Sequence, residues 1–515
     1  MSGTANRVLK NTCYLYARMG ITMFISLYTT RIILNSLGAS DFGIFNIVGG
    51  AIGMLGFLNA AMADATQRFM SYSEGEGNKE KQKKIFNVSF ILHLILAIIV
   101  GFALIVAGHF FFNGIFNIPT EKEFAAKVIY GSLIISTIFT VMTVPYNAVM
   151  NAHENMKYYA VMGFIEAPLK LLVAIVCMYT SSDKLIIYGV LMACIPLIML
   201  TIMRIYCHKH YEECIIAPYT HWNKKLMKEM VSFAGWNLAS SIASILTMQG
   251  VSIVLNSFWG VLANAAQGIA NQLSGQIMVF SRTMLTALNP IIVKNEGANN
   301  REKMLEATLA GNKFSYLIMI FFAIPFCIEM PFILKIWLKE PPEYAVLFCR
   351  LILLRLSITQ LTITFNTAIG ATGKNKNSNL MTSIIMIFML PLTSLLYYWG
   401  APIYTIYVVL IIMVILLFIS SIFFMKRLCN LKISQFIEDV IKPCLIVSSI
   451  TLFIGLLPLW EFEESFLRFI IVSSVCCISF GISFYTIGLN QKEKQLMLSL
   501  LNNIIKRNDY IFKKP

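Results

Sequence analysis

Apolar runs of roughly 20 residues recur from one end of this chain to the other, and each is long enough to cross the hydrocarbon core of a bilayer. Hydrocarbon offers no water to peptide groups, so each run must form a helix that satisfies its own backbone. We read about fourteen spans, near 12–37, 42–71, 85–113, 124–150, 158–180, 184–206, 230–257, 263–293, 304–333, 343–370, 378–399, 402–425, 441–460 and 466–489. The expected fold is therefore an all-α polytopic membrane protein. Of 515 residues, 57% are hydrophobic and only 13% are charged, about half the charged share of a soluble domain. The first ten residues are polar and the run that follows is too long for an h-region, so no cleavable signal peptide is expected.

The loops set the orientation. One side carries Lys79, Lys81, Lys83, Lys84, Lys224, Lys225, Lys228, Lys294, Arg301 and Lys303. The other offers Lys122, Lys127, Lys184, Lys335, Lys339 and Arg468. The positive-inside rule then puts both termini in the cytoplasm. It also accounts for the formal net charge of +15, which on a soluble chain would suggest a polyanion; no nucleic-acid partner is expected. The eleven cysteines are scattered, several within spans, such as Cys177, Cys194 and Cys327. They read as apolar fillers and form no metal-binding spacing.

An internal repeat recurs at a separation near 220 residues. Leu34-Asn35-Ser36 matches Leu255-Asn256-Ser257, and Glu76-Gly77 resembles Glu296-Gly297. Thr143, Asn147, Ala152, Lys157 and Met162 recur as Thr362, Asn366, Ala371, Lys376 and Met381. Six spans per repeat make the halves parallel. The expected organisation is a first lobe 1–206, a basic linker 207–229, a second lobe 230–425, and an extension 426–515 with two further spans. The basic tail 490–515 could touch anionic lipid headgroups or a partner enzyme.

Charges inside a membrane are costly and mark function by default. The cations within spans are Arg18, Arg31, Arg68, Lys170, Arg282, Lys313, Arg350 and Arg355, against the acids Asp64, Glu166 and Glu329. Asp64 with Arg68, and Glu166 with Lys170, are four residues apart and can pair on one helix face. Arg18, Arg31, Arg68 and Arg350 lie near span ends and can snorkel. Arg18 and Arg31 are thirteen residues apart, roughly 140° around a straight helix. An excess of cations suits a substrate with fixed negative charge, phosphate or pyrophosphate above all. Polar residues such as Gln267, Asn271 and Ser274 on the eighth span, and Ser240, Ser244 and Thr247 on the seventh, suit either a hydrophilic path or helix packing.

The stretch Thr30-Arg31-Ile32-Ile33-Leu34-Asn35-Ser36-Leu37-Gly38-Ala39-Ser40-Asp41-Phe42-Gly43 resembles the signature between the first two spans of polysaccharide flippases. Pro145-Tyr146-Asn147-Ala148 and Phe233-Ala234-Gly235-Trp236 resemble that family's fourth and seventh spans. These are the Wzx-like O-antigen transporters of the multidrug/oligosaccharidyl-lipid/polysaccharide (MOP) exporter superfamily. The resemblance implies two parallel six-helix bundles of MATE-like fold plus two C-terminal helices, in a bacterial inner membrane. It implies alternating access, and a cargo of oligosaccharide repeat units on undecaprenyl pyrophosphate for polysaccharide, O-antigen or lipopolysaccharide synthesis. Arg18, Arg31, Arg68 and Lys170 of the first half, and Arg282, Lys313 and Arg355 of the second, would hold the pyrophosphate and acidic sugars. Asp64 and Glu166 are the candidates for coupling to a proton or sodium gradient. Membrane lipid, and a polysaccharide polymerase or glycosyltransferases, would be its partners.

Two rival classes remain. A MATE-type drug or metabolite antiporter would need acids to dominate the spans, and they do not. A membrane polymerase or ligase would need a large outer loop, whereas the longest here, near 114–123 and 334–342, are about ten residues. No GxxxxGK[ST] loop is present, and no nucleophile or acid/base constellation is visible, so neither a cofactor nor enzymatic activity is expected.

Overall fold

The computed structural model describes residues 2–53, 56–115, 120–181, 183–338 and 340–495. Helix dominates, and no strand occurs among the described residues. The basic tail beyond residue 495 lies outside them. The run Ser2–Gly53 breaks at Gly38 (φ 78°, ψ 169°) into α1, 2–37, and a helical stretch 39–53; that stretch and the helix Gly56–Glu76 are together labelled α2. Then follow α3 (Lys79–Phe110), α4 (Glu123–Ala152), α5 (Met156–Tyr179) and α6 (Lys184–His210). The run Lys224–Gly297 breaks at Gly260 (φ 74°, ψ −168°) into α7, 224–259, and α8, 261–297. The remaining long helices are α9 (Arg301–Ile328), α10 (Ala345–Ala371), α11 (Lys376–Tyr398), α12 (Thr405–Cys429), α13 (Ile433–Trp460) and α14 (Phe466–Gly488). Among the described residues, 12 helices are long and apolar enough to cross a membrane, and they coincide with the third to fourteenth expected spans. The first two expected spans fall on the helices α1 and α2, which are not among these 12.

The repeat shows in the backbone. Gly38 and Gly260 are 222 residues apart, as are Gly77 and Asn299, and all four have positive φ. Glu154 (φ 55°) and Gly373 (φ 76°), at the ends of α4 and α10, are 219 apart. Left-handed backbone suits glycine because a Cβ crowds the carbonyl there. The chain thus turns by the same device at the same place in each half.

Two compact units result. One is Cys13–Ser241 with Val293–Asn300; the other holds residues 2–12, Ile242–Ile292 and 301–495. The first unit therefore takes the start of α7 and the last turn of α8 as well as α1 from Cys13 and α2 to α6. Its core packs α4 against α2, α3 and α6. Phe86 sets its edge on Tyr146 at 5.5 Å, and the Tyr146 hydroxyl reaches His208 Nε2 at 3.4 Å. Where α2 ends, two glycines carry the closest approach. A Cβ on Gly75 would collide with the Lys294 carbonyl, and one on Gly297 with that of Tyr72. Gly75 and Gly297, like Tyr72 and Lys294, are 222 residues apart, so the contact is symmetric about the repeat.

In the second unit α10 is irregular between Gln360 and Phe365. The amide of Thr364 donates to Asn312 Oδ1 at 2.9 Å, and its hydroxyl donates to the same oxygen at 2.7 Å. A polar side chain on α9 thus satisfies backbone that the helix leaves open, as hydrocarbon requires. The two additional helices are held to α9 at its middle and just past its C-terminal end. Lys313, 3% exposed, pairs with Glu493 beyond α14 at 2.6 Å. Glu329, 0% exposed, receives Arg468 Nε at 2.9 Å and its Nη2 at 3.0 Å. Sixteen residues separate Lys313 from Glu329, about 24 Å of helix.

Breaking a buried pair by removing one partner leaves a bare charge and costs about 3–5 kcal/mol. Arg468→Met should therefore lower the thermal unfolding midpoint in detergent. Adding Glu329→Gln should restore most of the loss, whereas equal losses in single and double variants would show that the pair is not coupled.

Candidate functional site

The charged positions of the first unit fall into separate groups. On α1, the Arg18 guanidinium lies 4.6 Å from the centre of the Tyr159 ring on α5. It fills the space where a Cβ on Gly163 would stand. Two turns further along α5, Lys170 donates to Glu166 at 2.6 Å, with both side chains partly exposed. Gly163, Glu166 and Lys170 follow at helical spacing, so one face of α5 presents Arg18 and this ion pair. Their summed charge is that of Arg18 alone. Arg31 is exposed near the C-terminal end of α1 and no described residue pairs with it. Just past the Gly38 break, Asp41 accepts from Lys122 at 2.9 Å, tying the start of α2 to the start of α4.

Asp64 is exposed on α2, and no described residue pairs with it. Arg68, one turn on, sits among aromatic rings: Phe69 at 4.6 Å, Tyr72 at 4.9 Å and Phe233 at 5.5 Å. The carboxylates of Glu229, Glu76 and Glu296 attract it. Arg68 is therefore embedded in the lysine-rich end of the unit.

In the second unit, Arg282 on α8 is exposed and unpaired among the described residues. Arg355 on α10 is half-buried and interacts electrostatically with Tyr407 on α12. Arg355 Nε and the Tyr407 hydroxyl are both buried without a hydrogen-bond partner among the described residues. Lys313 and Glu329 are the paired groups that hold the C-terminal helices. Arg350 donates to the Cys327 carbonyl at 2.9 Å and the Ile328 carbonyl at 3.4 Å, capping the end of α9. Several polar residues pack helices together: Thr247 donates to the Met386 carbonyl at 3.0 Å, and Thr367 to Asn289 at 2.9 Å.

The profile of the family described as "Polysaccharide biosynthesis protein" matches residues 8–296, more than half of the chain. The chain belongs to that family. The MatE family matches residues 237–399, in the second half. This polysaccharide biosynthesis protein is thus a multi-pass membrane transporter of the MOP superfamily. No curated protein matches it. Solved structures share its fold. A multidrug resistance MATE family transporter of the MOP superfamily, in an outward-facing conformation, matches with a TM-score of 0.69 at 13% identity, covering 83% of this chain and 97% of that one. The MATE transporter VcmN of Vibrio cholerae, in its bent form, gives 0.69 at 15%, covering 83% and 98%. A MOP superfamily transporter from Pyrococcus furiosus, described by a reversed polarity of its binding pocket that suggests a different function, gives 0.67 at 14%, covering 83% and 97%.

Arg18, Arg31, Asp64, Arg68, Glu166, Lys170 and Arg282 lie within the polysaccharide-biosynthesis match, and Lys313 and Arg355 within the MatE match only. The partners of Lys313 and Glu329, and the Asp41–Lys122 bridge, escaped sequence reasoning. Asp41 stood in the signature stretch, but nothing local pointed to a lysine 81 residues away.

If Arg18 is what fills the space over Gly163, the two positions are coupled. Gly163→Ala should lower the thermal midpoint in the otherwise unchanged protein and have little effect beside Arg18→Ala. A loss of the same size in both backgrounds would show that the arginine does not occupy that space.

Proposed function

We propose that this transporter is a flippase that moves undecaprenyl-pyrophosphate-linked oligosaccharide repeat units across the bacterial inner membrane, by alternating access of its two halves. Both termini face the cytoplasm in this reading, and the lysine-rich end of the helices is the cytoplasmic end. The observation that carries it is a balance of unpaired charge. Among the described residues, Arg31 and Arg282 have no partner and Arg355 keeps an unused buried donor, while Asp64 is the one unpaired acid of the three acids within spans. Arg18 adds a cation that faces an aromatic ring and leaves Lys170 neutralised by Glu166.

Pyrophosphate and several sugars cannot cross hydrocarbon unaided, because their polar groups would lose water without replacement. Arginines supply planar forks that match phosphate oxygens, at greater strength than in water. In this reading Arg18, Arg31, Arg282 and Arg355 hold the pyrophosphate. Arg68, Lys170 and Lys313, each with neighbours of its own, serve chiefly to position helices. The polysaccharide-biosynthesis match over more than half of the chain supports the glycan, and a polymerase or glycosyltransferases at the same membrane would make or consume it.

The MatE match over 237–399 and the unpaired Asp64 favour a second reading, an ion-coupled antiporter in which Asp64 takes a proton or sodium ion. In cells lacking the protein, lipid-linked oligosaccharide should accumulate on the cytoplasmic leaflet, as read by a periplasmic ligase or a lectin. Restoring the gene should reverse this. Arg18→Gln, Arg282→Gln and Arg355→Gln together should cut delivery at least about tenfold, since each charged hydrogen bond is worth roughly 1.5–3 kcal/mol. Normal delivery without the protein, with no redundant transporter present, would favour the antiporter.

A further inference from the structure

At the lysine-rich end of the first unit, His153 stands between two carboxylates. It caps α4, directly before Glu154. Its Nε2 lies 2.5 Å from Glu213 Oε1, and its Nδ1 lies 3.4 Å from Glu74 Oε1 at the end of α2. Both ring nitrogens thus face acceptors, and only the imidazolium can donate from both. Tyr211 stacks on the ring at 4.4 Å and is itself fixed by Asn155, which donates to its hydroxyl at 2.9 Å. The loop, α4 and α2 therefore set the orientation of the imidazole.

The same carboxylates hold the end of another helix. Lys294, in the last turn of α8, lies 3.6 Å from Glu74 and 3.4 Å from Glu154. Lys79 of α3 lies 3.5 Å from Glu74 and 3.9 Å from Glu213. Gln82 donates to Glu74 at 2.6 Å. Three acids thus face two lysines, and the charges balance when His153 is protonated. Burial works against the charge of Glu213, 1% exposed, yet the bond from His153, its own backbone N–H and the charges of His153 and Lys79 outweigh this and hold the group below the usual carboxylate range.

Two further features mark the end of α8 as held on purpose. Gly75 and Gly297 bring its backbone against that of α2, closer than any side chain would permit. Glu154 adopts a left-handed conformation that costs about 1 kcal/mol or more for a residue with a Cβ, where the repeat-related position is Gly373. That strained residue is the one that meets Lys294. The chain runs directly from Ile292 of the second unit into this clasped turn.

We propose that His153, with Glu74 and Glu213, is a cytoplasmic proton-binding site that clasps the last turn of α8, closing on protonation and releasing as the proton leaves. Deprotonation removes the donor that holds Glu74 Oε1, the oxygen that meets Lys294, and leaves three acids facing two lysines, so the acids repel one another and the clasp loosens although Gln82 and Lys79 still hold the other oxygen of Glu74. The clasp holds at low pH and loosens as pH rises. Release of the clasp frees the turn through which the chain passes at Ile292–Val293. This use rests on the alternating-access reading, but the site and its test require no glycan.

The test is hydrogen exchange of amides 293–300 in the full-length protein in nanodiscs, at pH 6 and pH 8, corrected for the intrinsic pH dependence of exchange. Protection should fall about tenfold or more from pH 6 to pH 8, the scale of one lost charge-assisted hydrogen bond. In His153→Gln, protection should be low and the same at both pH values, with the α4 amides unchanged as a control of folding. Lys294→Met should give the same flat, low profile by removing the clasp from the other side. Equal protection at both pH values in the unchanged protein, or higher protection at pH 8, would overturn the proposal. A failed sidedness assay would remove the cargo and leave this result standing.

Discussion

Hydrocarbon gives an unsatisfied peptide group or charge no water to fall back on, and that constraint organises this molecule down to single side chains. Where α10 loses its helical path, Asn312 supplies the missing acceptor. Where α9 buries a lysine and adjoins a buried glutamate, the chain returns from far along its length to neutralise both. The sharp turns between α1 and α2 and between α7 and α8 fall on glycines, which take positive φ without crowding.

The same constraint decides how cations can be read. A buried pair spends its charge on structure, and that description fits Lys313 with Glu493 and Arg468 with Glu329. A half-exposed pair such as Glu166 with Lys170 is weak and can exchange partners. Cations with no partner carry a field that only a ligand or solvent can answer. The division between these groups, more than the count of positive residues, separates scaffold from candidate site.

Much of the fold was legible because hydropathy is written locally. Spans three to fourteen fall on helices of the structure, their ends displaced by at most eight residues, and the repeat read in the sequence recurs in the backbone as paired residues of positive φ. The ion pairs were not legible, because their partners lie 139 and 180 residues apart and no local pattern joins them. His153 read as one of several dispersed histidines. Only the return of the 211–217 loop and the end of α8 to the same place gives it neighbours. Helix glue and substrate path, which the polar residues of α7 and α8 left open, separate only where a partner is seen, as for Thr247 and Asn289.

The Lys313–Glu493 pair also sets an order of events during synthesis. The two residues are 180 positions apart, so at ribosomal speeds the lysine emerges roughly 10–40 s before its counter-ion. Throughout that interval α9 carries a charge that its final environment cannot accept alone. The helix must wait near the membrane surface, or borrow a temporary partner from a lipid or an insertion factor, until α13 and α14 have followed. Final seating of α9 is in this way a report that the rest of the chain through residue 493 has been made.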